Sequence, residues 1–295
     1  MDAYHLCLAW NWVYDQDFVN ILSESFRHHG LKLLSVTPKN LNQVCSQIRH
    51  SQIQIQSLLD RASEEDPDFY QLIHLAIINN YHQINPLETA KFAIDKSTIH
   101  QLLSQANLPV PPTIIIPAFY DQPNIPSPDI RSLGEFFNIK PAHGGCGEGV
   151  ILKQSDLSQL EVTRKKFPQD KILLQTYVTP IPINDHQEAW FRSIYCLGRI
   201  FPCWWHTQTH IYSLVSDLDI NQYSLSPLSQ LTQQIAQIVK LGFFSSEIAL
   251  TDQGFFIIDY INNPMDLRLQ SKYSDGVPDQ IIHQIVQTIT NNFVA

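Results

Sequence analysis

The sequence predicts an α/β fold with α+β character towards its C-terminus, and three observations carry that reading. Over residues 4–59, apolar strands alternate with amphipathic helices in a βαβ rhythm, which predicts a small open α/β unit at the N-terminus. Four of the ten glycines, Gly144, Gly145, Gly147 and Gly149, crowd into six positions between two strand-like segments. Near the C-terminus two apolar segments flank a tight turn, and each carries one acid, Glu247 and Asp259.

In chain order, residues 4–10 read as a buried strand and 15–29 as a helix, with Phe18, Ile21, Leu22 and Phe26 at helical spacing. Asp15 is the expected N-cap of that helix and Gly30 its expected stop. Residues 31–36 form a second strand, and Thr37-Pro38 turns into a helix around 40–49. The alternating Ile and Gln of 53–59 make a third strand, and an amphipathic helix is expected over 68–82. Asn85-Pro86 breaks the chain before a helix at 87–105, and Leu108-Pro109-Val110-Pro111-Pro112 breaks it again. Ile114-Ile115-Ile116 is a short buried strand, followed by a proline-rich loop from Pro117 to Pro128. Residues 136–140 enter the glycine cluster as a strand and 149–152 leave it as another. A helix at 155–167 and strands at 171–178, 189–196 and 199–206 follow. A helix at 227–241, strands at 243–250 and 255–260 around Thr251-Asp252-Gln253-Gly254, and a helix at 278–292 complete the chain.

The 295 residues are 44% hydrophobic and 16% charged, enough apolar content for a sizeable core and too much for disorder. Lys and Arg number 19 against 28 Asp and Glu, and the net charge of -9 argues against non-specific binding to nucleic acid or an anionic membrane. The cysteines at 7, 45, 146, 196 and 203 form no Cys-x-x-Cys pair, which fits reduced thiols in a cytoplasmic protein rather than a disulfide framework or zinc site. The chain opens on Met1-Asp2 without a basic segment, and His and Gln interrupt the apolar runs. Neither a signal peptide nor a membrane span is expected.

Candidate chemistry concentrates in two places. The first is Lys140-Pro141-Ala142-His143-Gly144-Gly145-Cys146-Gly147-Glu148-Gly149-Val150. No Gly-Lys-Ser/Thr closes it and a strand follows, so it is no Walker A loop; Val150 stands where the dinucleotide-binding fingerprint needs its third glycine. A flexible glycine hairpin can fold over a polyphosphate and offer backbone N–H groups, and Lys140 at the end of the incoming strand adds positive charge. A β-hairpin with a glycine-rich turn is the alternative. The second place is the pair Glu247 and Asp259, each in an otherwise apolar strand, which is a costly position for a lone carboxylate. The turn at 251–254 makes these strands antiparallel neighbours, so the acids converge, and Asn262 follows three residues later. Two carboxylates and an amide oxygen, completed by phosphate oxygens and water, form the hard-oxygen set that Mg²⁺ takes. Two solvent-facing edge residues are the alternative.

Together these segments resemble the ATP-grasp superfamily, in particular its glutathione synthetase-like and ribosomal protein modification-type carboxylate–amine ligases. The matching elements run in the family's order from about residue 85 to the end. They are Asp95-Lys96 after Asn85-Pro86; Leu102-Leu103 before Leu108-Pro109-Val110-Pro111; Ile139-Lys140-Pro141 with the glycine loop; Leu174-Gln175-Thr176-Tyr177-Val178; and Glu247-Ile248-Ala249-Leu250 followed by Asp259 to Asn262. The resemblance implies an ATP-grasp fold with a pre-ATP-grasp α/β domain over 1–85, a small central lid subdomain with the glycine loop over 86–178, and a C-terminal mixed-sheet subdomain over 179–295. It implies that Lys96 and Lys140 hold the phosphates of ATP and that residues 144–149 close over them. Gln175, Tyr177 and Val178 match the hinge whose backbone meets the adenine edge, and Asp185 or Glu188 the group that reaches the ribose. Glu247, Asp259 and Asn262 match the magnesium ligands. The family often has Glu in place of Gln175. It commonly sets its acid and asparagine two residues apart, whereas Asp259 and Asn262 are three apart; a local bulge would absorb the difference. Arg192 lies on the strand where the family often carries an arginine that meets the acceptor or acyl phosphate, and Arg268 could clamp a substrate carboxylate. A structural salt bridge, with Glu188 or Asp266, is the alternative for each.

The implied activity is ATP-dependent joining of a carboxylate to an amine or other nucleophile through an acyl phosphate, with ATP and Mg²⁺ required. The implied partners are small-molecule carboxylate and amine substrates, amino acids or peptides among them, with no nucleic acid and no membrane; a homodimer is one assembly open to the chain. Two other readings keep the nucleotide: a kinase-like ATP-grasp protein that stops at phosphorylation, and a non-catalytic nucleotide-binding regulatory protein. Asp60-Arg61-Ala62-Ser63 lies at a sheet edge of the kind that binds ligands in open α/β folds, with helix capping or a salt bridge as the alternative. His206 and His210 have the i,i+4 spacing of a zinc helix without its central glutamate. Trp204-Trp205 is either core or the lining of an acceptor pocket.

Overall fold

A computed structural model of the chain describes residues 2–145, 147–184 and 187–294. The first third folds as β1 (Asp2–Trp10), α1 (Gln16–His28), β2 (Leu33–Val36), α2 (Leu41–Arg49), β3 (Ile53–Arg61), α3 (Tyr70–Ile78) and β4 (His82–Ile84). Its strands pair in parallel in the order β2-β1-β3-β4. A parallel sheet is covered on both faces, so Leu6 to Ala9 are all buried. Leu6 and Leu8 pack with Phe18, Leu22 and Phe26 of α1, while Cys7 and Ala9 pack with residues of α2 and α3.

Two local expectations change here. The helix expected over 68–82 stops at Ile78, because Asn80 takes a left-handed φ of 54° and the Tyr81 N–H turns back to the Ala76 carbonyl. The chain leaves as the short strand β4, with Ile84 opposite Leu59. Asp15 does not cap α1: its carboxylate is buried and bound by Arg61 Nε at 2.9 Å and Nη2 at 2.7 Å. Arg61 also donates to the carbonyl of Met265 at 3.0 Å. Beside it, Asp60 accepts from the N–H groups of Ala62 and Ser63. The Asp60–Ser63 edge is therefore a turn cap and a salt bridge.

The middle of the chain forms α4 (Leu87–Ala93), α5 (Lys96–Gln105), β5 (Thr113–Ile116), β6 (Phe137–Pro141), β7 (Ile151–Gln154), α6 (Leu160–Lys166) and β8 (Ile172–Thr176). The single helix expected over 87–105 is two helices, because the Asp95 side chain accepts from the N–H groups of Ser97 and Thr98 and starts a new one. Lys96 thereby becomes the first residue of α5. The sheet is antiparallel, in the order β5-β8-β6-β7.

The last part contains β9 (Pro182–Asn184), β10 (Gln187–Glu188), β11 (Trp190–Cys196), β12 (Arg199–Trp205), β13 (Tyr212–Leu214), α7 (Asp217–Gln222), α8 (Pro227–Val239), β14 (Phe243–Thr251), β15 (Gly254–Asn262) and α9 (Asp279–Asn291). Its main sheet runs β13-β12-β11-β14-β15, with antiparallel pairs. Parallel and antiparallel ladders are thus divided between sheets. One face packs on α5 and α8 around Ile99, Leu103, Ile235 and Tyr260. The final helix α9 returns to α1, where Ser25 and Thr290 hydroxyls meet at 2.8 Å. Asn85 fastens the N-terminal sheet to β14: its Oδ1 accepts from Gly242 and Phe243 N–H at 2.7 and 3.0 Å, and its Nδ2 donates to Asn263 Oδ1 at 2.8 Å. No described helix is long and apolar enough to cross a membrane.

Both members of the Arg61–Asp15 pair are almost fully enclosed, with side-chain exposures of 3% and 1%. Arg61→Ala leaves a buried carboxylate without its partner and is expected to cost about 3–5 kcal/mol, read by denaturant unfolding. The double change Asp15→Leu with Arg61→Met is expected to recover most of that loss; no recovery would mean that the Met265 contact carries the stability.

Candidate active site

The register of β11, β14 and β15 places Arg192 opposite Glu247, and Glu247 opposite Asp259. A positive and two negative side chains thus stand in one row across three strands. The β14–β15 ladder pairs Ser245 with Asn262, Glu247 with Asp259 and Ile248 with Ile257, so β15 has an extra residue on either side of Asp259. This is the expected bulge. It lets Asp259 and Asn262, three apart, share a side of the strand, while Tyr260 and Ile261 between them are both buried.

Arg192 bonds Glu247 through Nη2, lies 4.4 Å from the centroid of the Trp205 ring and reaches the Tyr212 hydroxyl at 3.3 Å. Trp190 Nε1 donates to the other Glu247 oxygen at 3.1 Å. The partner of Arg192 is therefore Glu247 and not Glu188, which lies exposed on β10. Burial raises the pKa of Asp259, Glu247 adds to the rise, and the charges of Lys96, Lys140 and Arg192 oppose it. Burial lowers the pKa of Lys140, against Asp259 and Glu247. Two lysines and an arginine thus converge on two carboxylates.

Lys96 joins this cluster to the glycine loop. Its main-chain N–H donates to Ala142 and its ammonium to the Gly144 carbonyl, at 2.9 and 2.6 Å. The loop turns through left-handed residues Gly144, Gly147 and Gly149. At Gly149 a Cβ would stand 2.5 Å from the Phe167 ring and 2.8 Å from Pro141, so both φ and space require glycine there. Gly145 accepts from Glu148 N–H at 3.0 Å. The loop's entry is anchored by Asp170, which binds the N–H and Nδ1 of His143 at 2.8 and 2.9 Å and raises the pKa of that imidazole.

Gln175 lies in the centre of its sheet, between β5 and β6, so its side chain rather than its main chain faces the site. It accepts from Lys140 Nζ at 2.7 Å. Tyr177 N–H donates to Phe136 at 2.9 Å, and the Lys153 ammonium sits over the rings of both. Val178 is half-buried just beyond β8. Asp185 and Cys146 lie outside the described residues. Arg268 binds Asp266 at 2.7 Å and Asp275 at 2.9 Å, against the rings of Trp12 and Tyr273, which is the salt-bridge alternative. His206 and His210 form a turn, with His206 Nδ1 accepting from Thr209 N–H and His210 stacked on Trp205. Trp204 is core, while Trp205 supports Arg192.

Among the described residues no group of three or more His, Cys, Asp or Glu comes together for a metal. A cation between Glu247 and Asp259 would take its remaining ligands from Asn262 and from substrate. Asn262 suits such a role by position and chemistry, since the bulge brings it to the Asp259 side of β15 and its amide oxygen is the hard ligand that would be used. Three contributors escaped sequence reasoning. Tyr260 and His100 had a faint signal, as polar residues adjacent to Asp259 and one helical turn from Lys96; Asp170 had none.

No protein-family model matches the chain, and no curated protein matches it. Solved structures align along almost its whole length. A RimK-domain ATP-grasp protein from Sphaerobacter thermophilus aligns with a TM-score of 0.59 at 18% identity, over 96% of this chain and 98% of that one. D-alanine–D-alanine ligase from Bacillus anthracis, solved with ATP, aligns at 0.65 and 10%, over 99% and 97%. The macrocyclase MdnC from Microcystis aeruginosa, bound with its precursor peptide MdnA, aligns at 0.64 and 10%, over 98% and 100%. The chain has the ATP-grasp fold, as the resemblance in its sequence implied.

A carboxyl group whose folded pKa is raised loses folding stability when it ionises: the loss is absent below the unfolded carboxyl range and complete above the folded pKa. Asp259 is such a group. Asp259→Asn is expected to leave the ligand-free protein at least as stable at pH 7, with its advantage vanishing as pH falls into the acid range. Thermal unfolding at several pH values reads this. A lower midpoint at pH 7 would show that attraction to Lys96 and Lys140 outweighs burial.

Proposed function

We propose that the chain is an ATP-dependent, magnesium-requiring ligase that joins a carboxylate to an amine through an acyl phosphate. The observation that carries the proposal is the row Arg192–Glu247–Asp259, with the charges of Lys96 and Lys140 near enough to act on Asp259. A cluster of three cations around two acids suits a polyanion and a divalent metal better than it suits structure alone. Neighbouring folds agree in chemistry: one is a D-alanine–D-alanine ligase with ATP, another the ATP-grasp ligase PsnB with a minimal precursor, Mg and ADP.

On this reading the division into a pre-ATP-grasp domain over 1–85, a lid subdomain over 86–178 and a C-terminal subdomain over 179–295 is functional. Lys96, Lys140 and the N–H groups of residues 144–149 hold the triphosphate, and Tyr177 and Val178 flank the base. Glu247, Asp259 and Asn262 hold Mg²⁺, which when bound spreads phosphate charge. The substrate carboxylate attacks the γ-phosphorus and ADP departs; the amine then attacks the acyl carbon and phosphate departs. Arg192, fixed by Glu247 and Trp205, offers its guanidinium to the oxygens that gain charge. The glycine loop excludes water from the acyl phosphate.

The test is phosphate release from ATP and Mg²⁺ with a panel of amino acids and dipeptides, followed by mass spectrometry. Release that requires both a carboxylate and an amine, with a condensed product, is expected. A phosphorylated product that accumulates without amine would replace the ligase with a kinase. For the phosphate contact, Lys140→Gln keeps a donor for Gln175 and removes the charge. It is expected to weaken ATP binding about tenfold to a hundredfold by titration calorimetry, since a charge-assisted bond is worth about 1.5–3 kcal/mol.

A further inference from the structure

Lys140 belongs to a hydrogen-bond chain that runs away from the candidate active site. Its ammonium donates to Gln175 Oε1 at 2.7 Å, Gln175 Nε2 donates to the Tyr260 hydroxyl at 2.9 Å, and that hydroxyl lies 2.7 Å from His100 Nδ1. All four side chains are buried, and they come from β6, β8, β15 and α5.

Elementary chemistry gives the chain a direction. An ammonium only donates, so the carboxamide atom facing it must be oxygen, and the amide NH₂ then faces the phenol. The phenol has accepted that bond and has one proton to place. His100 Nδ1 takes it if the imidazole carries its own proton on Nε2. Burial drives the pKa of His100 down to about 4, which keeps the ring neutral and able to accept. The other polar side chain near the phenol, Thr113, directs its own hydroxyl to the Pro111 carbonyl at 2.8 Å.

The geometry points to Tyr260 and His100 as positioning residues for the phosphate lysines: a one-way chain that fixes the Lys140 ammonium through Gln175 and ties it to the helix that begins with Lys96. This rests on the reading that Lys140 meets nucleotide phosphate. Two features of the site make sense on it. The residue bonded to Lys140 is an amide, so the lysine is held without being neutralised, and its charge stays available to a phosphate. His100 stands four residues after Lys96, one turn along α5, so the same chain sets both ammonium groups relative to each other.

Two measurements test it. In the whole protein, long-range ¹H–¹⁵N correlation reads the His100 tautomer. The Nε2–H form is expected. In Gln175→Glu the carboxylate accepts from both Lys140 and Tyr260, so the phenol must accept from the ring and His100 is expected to switch to Nδ1–H. A wild-type Nδ1–H tautomer, with the phenol proton on Thr113, overturns the chain. Titration with Mg²⁺ and ATP reads the effect on the lysine. Tyr260→Phe and His100→Leu are expected to weaken binding about three- to tenfold, the scale of one neutral hydrogen bond. His100→Asn, which offers an amide oxygen where Nδ1 stood, is expected to bind within about twofold of wild type by the same scale. If Lys140→Gln weakens binding and neither Tyr260→Phe nor His100→Leu does, positioning is wrong. If Lys140→Gln has no effect either, the nucleotide reading itself has failed, and the tautomer result still reports on the chain.

Discussion

The constraint on which the rest of the structure depends is the pairing of β14 with β15. It sets two carboxylates side by side, and like charges directly opposite in an antiparallel pair repel. The arrangement survives because positive groups surround it: Arg192 in register on β11, Lys140 at the end of β6 and Lys96 at the start of α5. Each of these comes from a different element. The protein's middle and C-terminal sheets together therefore offset the acids, which neither sheet does alone.

The scaffold that holds this row uses polar side chains at the junctions between sheets. Asn85 links the end of β4 to β14 and to Asn263, next to the candidate ligand Asn262. Arg61 joins the N-terminal sheet to Met265 on the segment that leaves β15. Both contacts fix the backbone on which Asn262 sits. Buried polar contacts of this kind are directional where apolar packing is not, which suits junctions that must set the angle between layers. The return of α9 onto α1 adds apolar area to the same junction.

The glycine loop is built differently. Its entry is held by Asp170 and its exit by the close packing of Gly149 against Phe167, while among the described residues between them Gly145 accepts from Glu148 N–H and Gly144 accepts from Lys96. Both anchors lie at the junction of the sheet and its flanking helix, so the loop's two ends are fixed relative to Lys96 and Lys140.

Part of this was legible in the sequence. The glycine cluster, the two acids in apolar strands and the βαβ rhythm are local signals, because they depend on residue type and on periods of two or 3.6 residues. With the resemblance they carry, they were enough for the fold, and the spacing of Asp259 and Asn262 was enough to expect the bulge. The partners were not legible. Arg192 meets a carboxylate 55 residues away, and Arg61 a carbonyl 204 residues away. Asp15 looked like a helix cap because only its neighbours in the chain could be weighed. The strand β4 gave no signal, since three residues on a sheet edge have no period of their own. Lys140 read as the charged end of a strand entering the glycine hairpin, yet it lies buried on Gln175. The sequence determines which residues prefer burial, turning or charge; the tertiary structure decides which of them meet, because contact between distant segments is settled by how whole sheets pack and not by any window of the chain.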